Sequence, residues 1–321
     1  MTLKPRLLVT RRLPAAVEAR ASRDYDVRLN ADDRPMPADE IVAASMGRDG
    51  LIPTLTDRLD AALIGRLPDS VRIVSTFSVG FEHIDLEAAR ARGIVVTNTP
   101  GVLTEATAEI AFLLLLGAAR RAWEGESLLR AGAWTGWTPT QLLGTQLTGK
   151  RLGILGMGRI GQAVAARGRA FAMTIHYHNR NRLPPDREAG AVFHADPEGL
   201  LKVSDFLSLH CPLTPETRHF LDARRLALLP EGAVVVNTAR GPVVDDAALV
   251  AALRTGRVAA AGLDVYEGEP ALHPGYRDRP NAFLLPHLGS ATVETRNAMG
   301  FKALDNLDAF FAGRPCPDRV A

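Results

Sequence analysis

Cysteine is nearly absent. The 321-residue chain has two, Cys211 and Cys316, too few for a disulfide framework and not in the C-x-x-C spacing of a metal or redox pair. An excess of one charge is missing too. There are 38 Lys and Arg against 36 Asp and Glu, a formal net charge of +2, with the signs interspersed. No basic block is available to track a phosphate backbone, so nucleic acid is not expected as a partner. The longest apolar run, Ile110 to Ala119, is too short to span a bilayer. The opening residues Met1-Thr2-Leu3-Lys4-Pro5-Arg6 lead directly into a strand-like segment with no signal-peptide pattern. A reducing cytoplasm is the expected home. Low-complexity tracts, repeats and a metal-ligand cluster are lacking as well.

What is present is alternation. Hydrophobic residues at 46% and charged residues at 23% are near globular averages, and the length exceeds one ordinary core, which points to two domains. Short apolar runs at 7–10, 25–29, 50–55, 71–76 and 94–98 read as strands. Helical patterns at 14–22, 38–45, 57–66 and 85–92 fall between them. That order predicts a parallel sheet with helices on its faces. Ligands in such sheets sit beyond the carboxyl ends of strands, which draws attention to Leu55 and to the loop Ser78-Val79-Gly80-Phe81. Thr99-Pro100-Gly101 reads as a crossing between domains. A helix over 104–121 follows, then a Gly-rich arm carrying Trp134 and Trp137. A subunit interface and ordinary packing both account for these tryptophans.

The stretch from Lys150 to Arg182 is the most specific. The apolar run Arg151–Leu155 leads into Gly156-Met157-Gly158-Arg159-Ile160-Gly161, then a helical segment, then the run Met173–Tyr177. A G-x-G-x-x-G in a strand–turn–helix–strand context is a dinucleotide-binding signature. Gly156 serves the tight turn, Gly158 the approach of a pyrophosphate, and Gly161 close packing of helix on strand. The helix N-terminus offers free N–H groups and partial positive charge to phosphates. An NAD site usually places an acid about 20 residues further on, to bind the ribose 2′-OH. Here the tip is His178-Asn179-Arg180-Asn181-Arg182, with no acid and two arginines. Arginine holds a 2′-phosphate through charge-assisted bonds. The expected cofactor is NADP(H), with NAD(H) as the second option.

Past the glycine turn, further strand-like runs end at His210-Cys211-Pro212, Thr238-Ala239-Arg240-Gly241, Asp264 to Glu267, and Pro286-His287-Leu288-Gly289. Arg240, Glu269 and His287 lie just past three of those ends, where a parallel sheet lets them converge. Reduction of a 2-keto acid by hydride needs such a set. A cation holds the carboxylate and polarises the carbonyl, an acid protonates the oxygen, and a carboxylate favours the imidazolium.

These motifs, together with Asn237-Thr238-Ala239-Arg240-Gly241, Gly262-Leu263-Asp264-Val265-Tyr266, Glu269-Pro270 and Ser78 to Asp85, resemble the D-isomer-specific 2-hydroxyacid dehydrogenases over nearly the whole chain. Trp134, Trp137 and His176 to Arg180 look closest to the glyoxylate/hydroxypyruvate reductase branch. The resemblance implies two Rossmann-like/flavodoxin-like doubly wound parallel-sheet domains with a cleft between them. Residues 1–100 plus 291–321 would form a discontinuous substrate domain, and 101–290 the dinucleotide domain with a dimerisation helix and arm. It implies Arg240 as substrate clamp, His287 as proton donor and Glu269 as its partner. Cofactor contacts are implied at Gly156, Gly158, Arg159, Ile160, Gly161, Asn179, Arg180, Cys211, Pro212, Thr217, Thr238, Ala239, Arg240, Asp264, His287 and Gly289. Substrate contacts are implied at Leu55, Val79, Gly80, Arg240 and His287, and at Trp137 from a partner subunit of a homodimer. Asn179 departs from the family's NAD pattern, where an acid is common. The activity implied is NADPH-preferring reduction of glyoxylate or hydroxypyruvate. Two alternatives stay open: a dehydrogenase for a larger keto acid, and a non-catalytic protein that uses the fold to sense the cofactor, as the C-terminal-binding protein corepressors do.

Overall fold

The computed structural model describes residues 3–321. The chain forms two compact units: residues up to Leu103 together with Ala291–Ala321, and Thr104–Ser290. Each is built on a sheet whose strand pairs are all parallel.

In the first unit the strands are β1 (Arg6–Val9), β2 (Asp26–Arg28), β3 (Gly50–Ile52), β4 (Ile73–Ser75) and β5 (Val95–Thr97), in the order β2-β1-β3-β4-β5. This is the flavodoxin-like order of doubly wound sheets. A strand covered on both faces alternates between two cores. Leu7 and Val9 pack with Val17, Leu304 and Leu307, whereas Leu8 packs on the other face with Ile41, Leu63 and Val96. The long helix Val293–Phe311 supplies Leu304 and Leu307. Arg20 secures the same packing through bonds to Asp305 and Asp308 at 2.7 and 2.6 Å. After that helix the chain runs along β5: Val320 N–H donates to Val96 O at 2.8 Å and Asn98 N–H to Asp318 O at 3.2 Å.

The second unit holds β6 (Arg151–Leu155), β7 (Thr174–His178), β8 (Val192–Phe193), β9 (Phe206–Leu209), β10 (Ala233–Asn237), β11 (Val258–Leu263) and β12 (Ala282–Leu284), ordered β12-β11-β10-β9-β6-β7-β8. Read from β8, this is the Rossmann order with one extra strand. Here β10 serves two cores in the same way. Ala233 and Val235 join one, Val234 and Val236 the other. The helix Thr104–Ala119 lies in the second core and is buried along most of its length. Chain order reverses between β6 and β9, and the glycine turn follows β6. Among the described residues no helix is long and apolar enough to cross a membrane, and no cluster of His, Cys, Asp or Glu is arranged to hold a metal ion.

Several strands and helices of the first unit are shorter than the sequence patterns, and one difference has a clear cause. The pattern predicts a helix from Asp57, but the helix is Ala61–Arg66, capped by Asp60. Asp57 is buried and committed elsewhere, accepting from Thr10 Oγ1 at 2.6 Å and Thr54 N at 2.8 Å. Leu59 bridges to Ile84. The same bonds release Leu55 from the strand into the loop after β3. Removing that acceptor takes a partner from Thr10 Oγ1, Thr54 N and Thr54 Oγ1 at once, so Asp57→Ala should cost about 1–3 kcal/mol of stability. A chemical-denaturation midpoint indistinguishable from wild type would refute this.

Candidate active site

At the end of β6 the chain turns through Gly156, whose φ is +95°. A Cβ there would lie 2.6 Å from Cys211 N, so the turn after β6 and the loop after β9 touch only because this residue has no side chain. Around Gly158 the space is open. Gly161 sits hard against the Gly156 carbonyl and seats the helix Arg159–Ala170 on the turn. Gln162 closes the first turn of that helix, donating to Met157 O at 3.1 Å and Gly158 O at 2.9 Å. The arrangement fits a dinucleotide: bare backbone at Gly158 faces the positive end of a twelve-residue helix.

Asn179 follows β7. Its Oδ1 accepts the Met157 N–H at 2.6 Å, tying the tip of β7 to the glycine turn and leaving the amide NH₂ as the available polar group. Arg180 is exposed and makes no hydrogen bond or ion pair with the described residues; its charge is felt by Glu216. Arg182 is different, and here the expectation of two phosphate-facing arginines needs correction. Its guanidinium is bidentate on Glu188, at 2.8 and 3.0 Å. Tyr177 OH donates to the same carboxylate at 2.5 Å. Arg182 first and Tyr177 second hold the Glu188 carboxyl below the usual range. One arginine is therefore available at the tip.

The loop after β9 is held by Thr217, whose Oγ1 accepts from Thr214 N and donates to Pro212 O, both at 2.7 Å. Burial pushes the Cys211 thiol up to about 11, which leaves it protonated and inert. His210, which the sequence motifs did not single out, is pushed down to about 4 by burial. As a neutral ring it joins Ser208 Oγ at 2.8 Å to Thr238 Oγ1 at 3.3 Å. The turn after β10 is folded by a second unforeseen residue, the buried Asn237. Its Oδ1 accepts from Ala239 N and its Nδ2 donates to Arg240 O, each at 2.9 Å. A turn-forming Asn directly before Thr-Ala-Arg-Gly was a readable signal. Arg240 Nη1 donates to Ala239 O at 2.7 Å.

Glu269 and His287 meet. Oε2 of Glu269 lies 2.8 Å from Nδ1 of His287, and Oε1 accepts Tyr266 N–H at 2.9 Å. Their side chains are 30% and 33% exposed. Burial raises the Glu269 carboxyl. The bond and charge of His287, the Tyr266 N–H and the charge of Arg240 outweigh that and leave it lowered. The carboxylate is thus ionised at neutral pH, and His287 Nε2 is left as the outward nitrogen. His287 stands at φ +56°, a left-handed backbone uncommon outside glycine. Asp264 holds it there. Its carbonyl accepts His287 N–H at 2.9 Å, and its buried carboxylate accepts Leu288 N at 2.6 Å and Gly289 N at 2.8 Å. Burial raises the Asp264 carboxyl against the pull of those N–H groups and of His287.

The second unit thus brings Gly156, Gly158, Arg159, Ile160, Asn179, Cys211, Thr238, Ala239, Arg240, Asp264, Glu269, His287 and Gly289 to the carboxyl ends of one sheet. Leu55, Val79 and Gly80 follow β3 and β4 of the first unit, where Asn98 Nδ2 donates to Val79 O at 2.8 Å. Trp137 is in the arm, 79% exposed.

A dinucleotide turn with Arg, Glu and His on the same rim defines a nicotinamide-dependent oxidoreductase. The family profile described as D-isomer specific 2-hydroxyacid dehydrogenase, NAD binding domain, matches residues 112–289. The glycerate dehydrogenase of Hyphomicrobium methylovorum is 48% identical over 312 residues, 97% of each chain. The glyoxylate reductase of Aeropyrum pernix is 47% identical over 325 residues, covering 99% of this chain and 96% of that one. Among solved structures, an NADPH-dependent glyoxylate/hydroxypyruvate reductase from Sinorhizobium meliloti, in complex with NADP and malonate, superposes with a TM-score of 0.89 at 37% identity, covering 99% and 97% of the two chains. The chain belongs to the D-isomer specific 2-hydroxyacid dehydrogenase family, in its glyoxylate reductase branch.

Proposed function

We propose that this enzyme reduces small 2-keto acids, glyoxylate or hydroxypyruvate, to the 2-hydroxy acid, and that it prefers NADPH. The observation that carries the reaction is the 2.8 Å contact between His287 and an ionised Glu269, with the charge of Arg240 reaching the same carboxylate. The names of the A. pernix and S. meliloti proteins support the substrate class.

The dinucleotide would be held by the backbone at Gly158, Arg159 and Ile160, by Asn179 and Arg180, and by the loops carrying Cys211, Pro212, Thr217, Thr238, Ala239 and Asp264. When bound in reduced form it supplies the hydride. Arg240 binds the substrate carboxylate and faces the negative charge that develops on the carbonyl oxygen. His287 delivers the proton to that oxygen from Nε2, and Glu269 accepts from Nδ1 and stabilises the imidazolium. Leu55, Val79 and Gly80 are assigned to the substrate, so residues 1–100 plus 291–321 act as substrate domain and 101–290 as dinucleotide domain. His287→Ala should lower kcat about 10²–10⁴-fold. Glu269→Gln removes the charge that faces Nδ1 and should lower kcat about tenfold or more, the worth of a charge-assisted bond, with the dissociation constant for NADPH unchanged. A normal kcat in Glu269→Gln would reject the pairing.

Arg180 supports the cofactor preference: it is an exposed guanidinium directly after Asn179, the position where an acid is common. Arg180→Ala should raise KM for NADPH about tenfold or more relative to NADH, the worth of a charge-assisted bond. Arg182→Ala, which breaks a pair internal to the protein, should affect both cofactors alike. Equal losses for NADPH and NADH in Arg180→Ala would count against the preference.

A homodimer is supported by apolar exposure around the arm. Trp123, Leu129, Trp134, Trp137 and Leu143 are all exposed, and the helix Ala122–Arg130 buries no residue. Such a patch is what a second copy covers. Light scattering should return twice the chain mass of 34.5 kDa; the monomer mass at micromolar concentration would end this assignment, and with it any role for Trp137 in a partner's site.

A further inference from the structure

Outside the groups used above, the second unit contains an ion-pair cluster that touches both halves of the site. His219 stands in the left-handed region at φ +48°. Its backbone N–H donates to Pro242 O at 2.7 Å, within the turn that begins at Arg240. Two residues on, Leu221 N–H donates to Val243 O at 3.1 Å, so the 219–221 segment runs beside 242–244. The His219 imidazole points the other way: Nε2 is 2.5 Å from Glu267 Oε1, and Arg218 Nη2 reaches the same oxygen at 3.3 Å. Glu267 is two residues before Glu269. Its backbone N–H donates to Oδ2 of the buried Asp246 at 3.2 Å, whose Oδ1 accepts Tyr276 OH at 2.9 Å. Between the two segments stands Gly241, where a Cβ would lie 1.8 Å from the carbonyl carbon of Tyr266. The Arg240–Gly241 turn therefore rests directly on the Tyr266–Glu267 peptide, the same residue whose N–H holds Glu269 Oε1.

We infer that His219 and Glu267 form a clasp that fixes the Arg240 turn against the Glu269 loop, making both of them positioning residues for the reaction. The clasp holds one loop through a backbone bond and the other through a side-chain contact, so loosening it lets the substrate clamp and the His287–Glu269 pair drift apart. Misplacement of reacting groups by about 1 Å costs up to about 10²-fold in rate. The inference rests on the assignment of Arg240, Glu269 and His287 to catalysis.

The test is a cycle of His219→Ala, Glu269→Gln and the double variant, with His219→Gln as the conservative replacement that keeps a donor. Steady-state reduction of glyoxylate gives kcat and KM, and quenching of NADPH fluorescence gives cofactor affinity. His219→Ala should lower kcat about 10–100-fold and leave the NADPH dissociation constant within about twofold of wild type. His219→Gln should recover most of the rate. The double variant should be no slower than Glu269→Gln, because residues acting through one another are not additive. A folded His219→Ala with normal kcat overturns the clasp, as does a loss in the double variant equal to the product of the single losses. If His219→Ala does not fold, Glu267→Gln carries the same readouts, with a several-fold drop in kcat expected and a normal kcat overturning the proposal. A normal kcat in Glu269→Gln would instead defeat the assignment of the site itself.

Discussion

A parallel sheet delivers every strand to the same rim, and this one constraint organises both units. Strands β6 to β12 all end on one side, so the residues immediately after them are neighbours in space although they are spread from Gly156 to Gly289 in sequence. Crossovers between parallel strands must run over the faces of the sheet, which buries both faces. That burial is visible in β10, where successive residues feed opposite cores. The rim is then the part of the sheet where chain is free to depart from regular structure.

What the rim holds is set by buried acceptors. Asp264 binds three successive N–H groups of the segment that carries His287, Asn237 folds the Arg240 turn, and Asn179 fastens the glycine turn to β7. Each satisfies backbone groups that a bend out of the sheet would otherwise leave unpaired. Backbone strain at His287 persists because these bonds over-determine it. The positioning of His287 thus derives from a carboxylate that is itself kept out of water.

Much of this was legible before any coordinates. Glycine spacing within a strand–turn–helix pattern located the dinucleotide turn, because only that backbone path needs Gly156 and Gly161 where they stand. Arg240, Glu269 and His287 were readable as charged groups past apolar runs, and the resemblance to a known family assigned their roles. The sequence was silent where a side chain's partner is distant along the chain. Arg180 and Arg182 look alike in sequence, and only the fold brings Glu188 back onto Arg182. Asp57 looks like a helix start until Thr10 is seen bonded to it. His210 and His219 gave no local signal, since their meaning lies in contacts to Thr238 and Glu267.

Cys211 brings a thiol to the loop after β9, against the glycine turn. Thiolate, not thiol, is the species that peroxides and alkylating agents attack. Burial pushes the group up to about 11, which keeps it as the thiol at neutral pH. Burial raises the Cys316 thiol as well. The one cysteine that packs against the glycine turn is in this way kept in the form that neither oxidants nor alkylating agents readily attack, and its burial, not its chemistry, is what it contributes to the rim.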